Sequence, residues 1–180
     1  MKARARCWLW GLLWLLPGLL QAAVPDPLQP WQQWALRDQP QWACPFNFSD
    51  YQQRQCQWPG ILHLQATASG LHFQQHWKIY AATRVPLPGG EGYWPETVLV
   101  NAVPGLILQQ DERPGLWLEP GDYDLAGFIP WQQIPEFLRV PATTALIDLT
   151  LRGAPVAQPK LDQAGRLWLV AGAEPAGFVK

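Results

Sequence analysis

Between residues 61 and 170 apolar and polar positions alternate. The clearest stretch is 71–81, where Leu71, Phe73, Trp77 and Ile79 alternate with His72, Gln74, His76 and Lys78, the pattern of a strand with one buried and one wet face. A second run, 61–68, carries Leu62, Leu64 and Ala66 at the same period and is separated from the first by Ser69-Gly70. Further extended runs fall at 97–103, 106–110, 116–119, 123–129, 138–140, 145–151 and 167–170. They are set off by turn chemistry such as Pro88-Gly89-Gly90, Pro104-Gly105, Pro114-Gly115, Pro120-Gly121 and Ala164-Gly165. About eight short strands expose more apolar faces than one sheet can bury, so the pattern predicts a mainly β chain, an antiparallel β-sandwich. A single helical turn over 131–137 is expected to bridge the two sheets.

The period of two fails on either side of this zone. Residues 24–60 are rich in Pro, Gln and Trp and form an N-terminal arm, with one short helix expected at 31–37. Pro30 opens its first turn, and Leu28, Trp31 and Ala35 share a face. Residues 171–180 have linker composition. Residues 1–23 have the layout of a secretory signal peptide: Lys2, Arg4 and Arg6, then an uncharged run from Cys7 to Leu20, then small residues at Ala22 and Ala23. That run is too short for the ~20 residues a membrane span needs, and Pro17-Gly18 would break its helix. The organisation expected is therefore signal 1–23, arm 24–60, sandwich 61–170 and tail 171–180.

Export changes the charge and the cysteines. Removing the signal takes away three of the 13 Lys and Arg and none of the 14 Asp and Glu, which leaves a mildly acidic chain of net charge −4. Such a surface lacks the broad basic footprint of a nucleic-acid-binding protein. Cys7 leaves as well, so Cys44 and Cys56 remain as an even pair in an exported chain, which reads as a disulfide. The alternative is two free thiols; a zinc site would need further Cys or His at suitable spacing. No transmembrane segment is expected in the mature chain.

The chemistry on offer is sparse. Neither Ser49 nor Ser69 lies in a Gly-x-Ser-x-Gly context, and no P-loop, Gly-x-Gly-x-x-Gly or His-Glu-x-x-His sequence occurs. No cofactor is implied. A two-residue Ser69-Gly70 loop would set His63 opposite His76 on the wet face, giving either a small metal site or a solvated pair of histidines. Asp122 and Asp124 share a strand face, Asp111 and Glu112 sit on a turn, and Asp50 lies between the cysteines. A glycan hydrolase would need two such carboxylates about 5 to 10 Å apart across a cleft. Tryptophan is the other candidate, since nine of the 12 remain after residue 23. Trp117 and Trp168 each sit in a Leu-Trp-Leu context, so that leucines pointing inward would turn the indoles outward, toward a partner or a sugar ring. Trp77 and Trp131 are expected in the interior, with Trp58 and Trp94 wedged beside prolines.

The segments Cys44-Pro45-Phe46, Cys56-Gln57-Trp58-Pro59-Gly60, Val85-Pro86-Leu87-Pro88-Gly89, Trp94-Pro95, Leu118-Glu119-Pro120-Gly121 and Gly165-Arg166-Leu167-Trp168-Leu169 resemble the amino-terminal region of large exported proteins of Gram-negative bacteria that have no assigned function. That resemblance implies an opening segment of a longer envelope protein and carries no active-site residue. Leu118, Gly121, Tyr123 and Leu125 are also spaced as in the small β-sandwiches of the carboxypeptidase-regulatory type. The expectation is a non-catalytic periplasmic module with a structural or protein-contact role. A carbohydrate-binding module using Trp117 or Trp168 is the first alternative, and a hydrolase using Asp122 or Asp124 the second. The partner would be an envelope protein or a glycan.

Overall fold

The computed structural model describes residues 24–35, 37–90 and 92–170, and only the backbone at 32 and 33. The expected signal peptide, 1–23, and the expected linker-like tail, 171–180, lie outside the described residues. The chain falls into two compact units divided between Asp38 and Gln39. In the first, a 3-10 turn at Asp26–Leu28 leads into helix α1, Gln29–Ala35, which starts two residues before the expected helix.

The second unit is mainly β. Its strands are β1 (Phe46–Asn47), β2 (Asp50–Arg54), β3 (Gln57–Ala66), β4 (Gly70–Ile79), β5 (Thr83–Pro86), β6 (Thr97–Val100), β7 (Val103–Pro104), β8 (Leu108–Gln110), β9 (Arg113–Leu118), β10 (Gly121–Pro130), β11 (Phe137–Arg139), β12 (Ile147–Leu151), β13 (Ala154–Val156) and β14 (Arg166–Trp168). They form a seven-stranded sheet of order β13-β12-β3-β4-β10-β6-β7, a three-stranded sheet of order β5-β9-β8, and the pairs β1-β2 and β11-β14. The arrangement is sandwich-like.

Period two explains the core. Leu62, Leu64 and Ala66 of β3, Leu71, Phe73, Trp77 and Ile79 of β4, Leu125 and Ile129 of β10 and Leu149 of β12 are all buried. They pack with Val85 of β5, Leu116 and Leu118 of β9, and Leu138 and Leu167 of β11 and β14. Close approach is met by glycine at one cross-strand pair: a side chain at Gly127 would run into the Phe73 ring. Gln75 is the polar exception on the inner face of β4. The β3–β4 register shifts between Pro59 and Leu62, and the Gln75 amide donates to the Gly60 carbonyl at this irregularity (3.0 Å), so a buried polar group is satisfied where the ladder is broken.

Three local expectations are corrected. The β3–β4 turn is a two-residue loop, but at Ala68-Ser69, one residue earlier than expected, because Thr67 N donates to Gly70 O and Ala66 pairs with Leu71. His63 therefore faces Gln74 rather than His76. Residues 131–137 form no helix: Pro135 disfavours helical geometry just before it. Trp131 is instead anchored to the β3–β4 hairpin by Nε1 donating to Thr67 O (3.0 Å) and N donating to Ser69 O (3.1 Å). Finally, β12 joins β3 in parallel, with Ile147 beside Leu62 and Asp148 beside His63, so the large sheet is mixed. A parallel neighbour needs a long crossover, and here everything between the two strands supplies it.

Candidate functional site

The Cys44–Cys56 disulfide is present, with Cα atoms 4.7 Å apart and Cys44 buried. It closes a loop that holds the β1–β2 hairpin. Arg54 closes the same loop without a covalent bond: its Nη1 donates to the carbonyls of Cys44 (2.8 Å) and Trp42 (3.1 Å). Its guanidinium also lies over the Phe46 ring, 4.1 Å from the centroid, and near Trp42 at 5.5 Å, a geometry that favours a cation on an aromatic face. The loop is tied to the large sheet by Tyr80 N donating to Cys56 O (2.8 Å). Its aromatic residues stay in solvent, Phe48 at the tip 85% exposed and Tyr51 77%, as does Trp42 just before the loop, at 59%. Phe48 and Trp58 meet edge to face, centroids 6.0 Å apart.

The outward face of the large sheet gathers the histidines and three acids. His63 Nδ1 donates to Asp148 Oδ2 (3.0 Å), and His76 Nδ1 donates to Asp124 Oδ1 (2.8 Å). Lys78 Nζ donates to Asp122 Oδ2 (2.7 Å), and that bond above all raises the lysine's proton affinity. Asp124 N in turn donates to Asn101 Oδ1 (2.8 Å), a residue held at φ 50° in the β6–β7 turn. Between these pairs lie two shallow open depressions. One, of about 330 Å³, is bordered by His63, His72, Gln74 and Asp148; the other, of about 560 Å³, by Ile61, His76, Leu99 and Asp124. His63 and His76 thus each have an aspartate on a neighbouring strand, whereas His72 packs on the Phe128 ring, centroids 4.7 Å apart. Among the described residues no group of three or more His, Cys, Asp or Glu is arranged to hold a metal ion. Asp122 and Asp124 do share a face, but each is engaged by a basic partner on an open surface.

Trp117 and Trp168 have different surroundings. On β9, Leu116 and Leu118 point inward and Trp117 is 58% exposed, paired across the strand with Arg84. The Arg84 guanidinium is stretched over Gly115 and donates to Arg113 O (2.7 Å). On β14, Leu167 is inward and Trp168 half-buried, because Phe137 packs on it at 5.7 Å and the Arg166 guanidinium at 5.6 Å. Arg166 is fixed by Asp162, whose carboxylate accepts from Arg166 N and Nε and from Ala164 N. These bonds, the Arg166 backbone N–H first, hold its proton affinity below the ordinary carboxylate range. The two tryptophans lie on separate sheets. Sequence reasoning missed Arg54, Phe48 and Tyr51; Phe46, Phe48 and Tyr51 between two cysteines, with Trp42 and Trp58 just outside them, were the available signal.

No protein-family model matches the chain, and no curated protein matches it. Among solved structures, a mutant two-domain M1 zinc metallopeptidase bound to L-arginine is similar over 49% of this chain and 30% of its own, at 11% identity and a TM-score of 0.31. The chain thus spans less than a third of that structure, and an overlap of this quality bears on neither fold nor function.

Proposed function

We propose that this chain is an exported, non-catalytic β-sandwich module of the cell envelope that makes contact with another envelope protein. The observation that carries the reading is the disulfide-closed hairpin, which holds Phe48 and Tyr51 in solvent on a cross-linked loop, with exposed Trp42 beside it near the Arg54 guanidinium. Large aromatic rings held in place lose little entropy on binding and dominate interface energetics. A stable disulfide fits an oxidising compartment, and no helix among the described residues is long and apolar enough to cross a membrane. The signal-like residues 1–23 point the same way. Against catalysis stands the pairing of the sheet-face acids with Lys78, His76 and His63 on a surface open to water.

The test is affinity capture from an envelope extract with the oxidised chain, comparing it with a Trp42→Ala, Phe48→Ser, Tyr51→Ser triple variant. A partner retained by the first and lost by the second, at unchanged circular dichroism, is the expected result. A partner retained equally by both would place the contact elsewhere. One observation favours a second reading, a carbohydrate-binding surface: the 58% exposure of Trp117 between two buried leucines. A saturable fluorescence change with glycan fragments, absent in Trp117→Ala, is what that reading requires.

A further inference from the structure

A free sheet edge is an open row of backbone hydrogen-bonding groups, and natural proteins guard such edges with proline, charge or bulges. Three of the four edges of the two larger sheets are guarded in this way: β13 contains Pro155, β7 contains Pro104 and β5 contains Pro86. The fourth edge, β8, carries neither proline nor charge, and its three residues are all exposed. The run from Gly105 to Gln110 is uncharged and proline-free, and it leaves Leu106 79% and Leu108 37% exposed.

The hairpin register says which backbone groups are free. Asp111 and Glu112, at φ 51° and 58°, form a two-residue turn closed by the Gln110–Arg113 pair. That closing pair and the Leu108–Gly115 pair exchange the ladder hydrogen bonds, while Gln109 faces Pro114, which has no N–H to give. The N–H and C=O of Gln109, and by the same alternation those of Ile107, therefore point away from β9, to a side where no strand lies among the described residues.

We infer that β8 is the pairing edge for a second copy of this chain, joined antiparallel about a two-fold axis at Leu108. This goes beyond the module reading and does not depend on it. Proline blocks the other three edges of these sheets, so the edge that a second copy can offer is β8 itself. A two-fold at Leu108 sets Ile107 of each copy against Gln109 of the other, matching the outward groups and extending three strands to a continuous six. It brings the two Leu108 side chains together in the close, non-hydrogen-bonded position, and sets each exposed Leu106 beside Gln110 of the other copy. Charge selects the direction: antiparallel pairing sends the Asp111-Glu112 turns to opposite ends, whereas parallel pairing would set like charges side by side. So short an edge buries less than a standard interface, so the association is reversible and depends on concentration.

The test is sedimentation of the purified chain from micromolar to near-millimolar concentration. The weight-average mass should rise toward twice the monomer value, and Leu108→Lys should abolish the rise with circular dichroism unchanged. A register-specific check is Leu108→Cys, which places two sulfurs within disulfide reach across the axis, with Cα atoms about 4.5 Å apart; it should cross-link under mild oxidation, whereas Val103→Cys on the guarded β7 edge should not. A chain that stays monomeric at the highest concentration overturns the inference. So does a Leu108→Lys variant that dimerises as well as the parent, or a Val103→Cys variant that cross-links as fast as Leu108→Cys.

Discussion

The outward face of the seven-stranded sheet and the disulfide-closed hairpin both meet water, yet they are supported in opposite ways. Beneath the sheet face lies the core, so His63, His76 and Lys78 stand on strands whose other side is fixed by Leu62, Trp77 and Ile79. Burial holds that backbone, and the exposed side chains are free to be polar and to pair with Asp148, Asp124 and Asp122. The hairpin has Cys44 as its one fully buried residue among 39–60, and is held by a covalent bond and by Arg54. Its rings are not needed to build a core, which leaves them available for contact. Support by burial goes with a neutralised polar surface, and support by cross-link with an aromatic one.

The largest effect should come from removing what supports the sheet. Trp77→Ala deletes a fully buried indole and should cost about 3 to 5 kcal/mol in denaturant unfolding. Trp77→Phe should cost far less, because the indole Nε1 has no hydrogen-bond partner to lose. The hairpin should respond to its own support. Replacing Cys44 and Cys56 by serine should cost about 3 kcal/mol, and hydrogen exchange should show residues 46–54 losing protection while β3, β4 and β10 keep theirs. Equal loss in both regions would erase the distinction drawn above.

Smaller effects are expected on the polar surface itself. Asp148→Asn removes the partner of His63, but both side chains are more than half exposed, so a loss of at most about 1 kcal/mol is expected by thermal unfolding. The Lys78–Asp122 pair should stabilise the fold at neutral pH and fail only at alkaline pH. Because the lysine holds its proton more tightly in the fold than in the unfolded chain, its contribution is complete below the ordinary lysine range and is lost as pH rises through the higher folded value. Asp122→Asn should flatten that alkaline decline. Trp117→Ala, at an exposed site, should change stability by no more than about 0.5 kcal/mol while removing any glycan response.

Legibility in the sequence followed the physics of each region. Strands β3, β4, β9 and β10 were readable because one face is buried and the alternation is clean. Strands β5 and β13 were not, since each contains a proline, which lowers a strand reading even though an edge tolerates it. The Cys44–Cys56 bond and the inward leucines around Trp117 were also readable, the first from compartment and count, the second from period. His63 was assigned the wrong neighbour by one step of hairpin register: the face was right and the partner was not.

What the sequence determined by itself is what period, turn chemistry and cysteine number encode locally: a mainly β chain, the inward and outward side of each main strand, and one covalent closure. Beyond the β3–β4 hairpin, which strands become neighbours was decided by tertiary structure. The parallel entry of β12 beside β3 sets Asp148 against His63 from 85 residues away, and the half-burial of Trp168 depends on Phe137 and Arg166 arriving over it. Alternation fixes the face on which a side chain stands, whereas its contacts depend on how distant apolar faces pack together, and no local pattern carries that information.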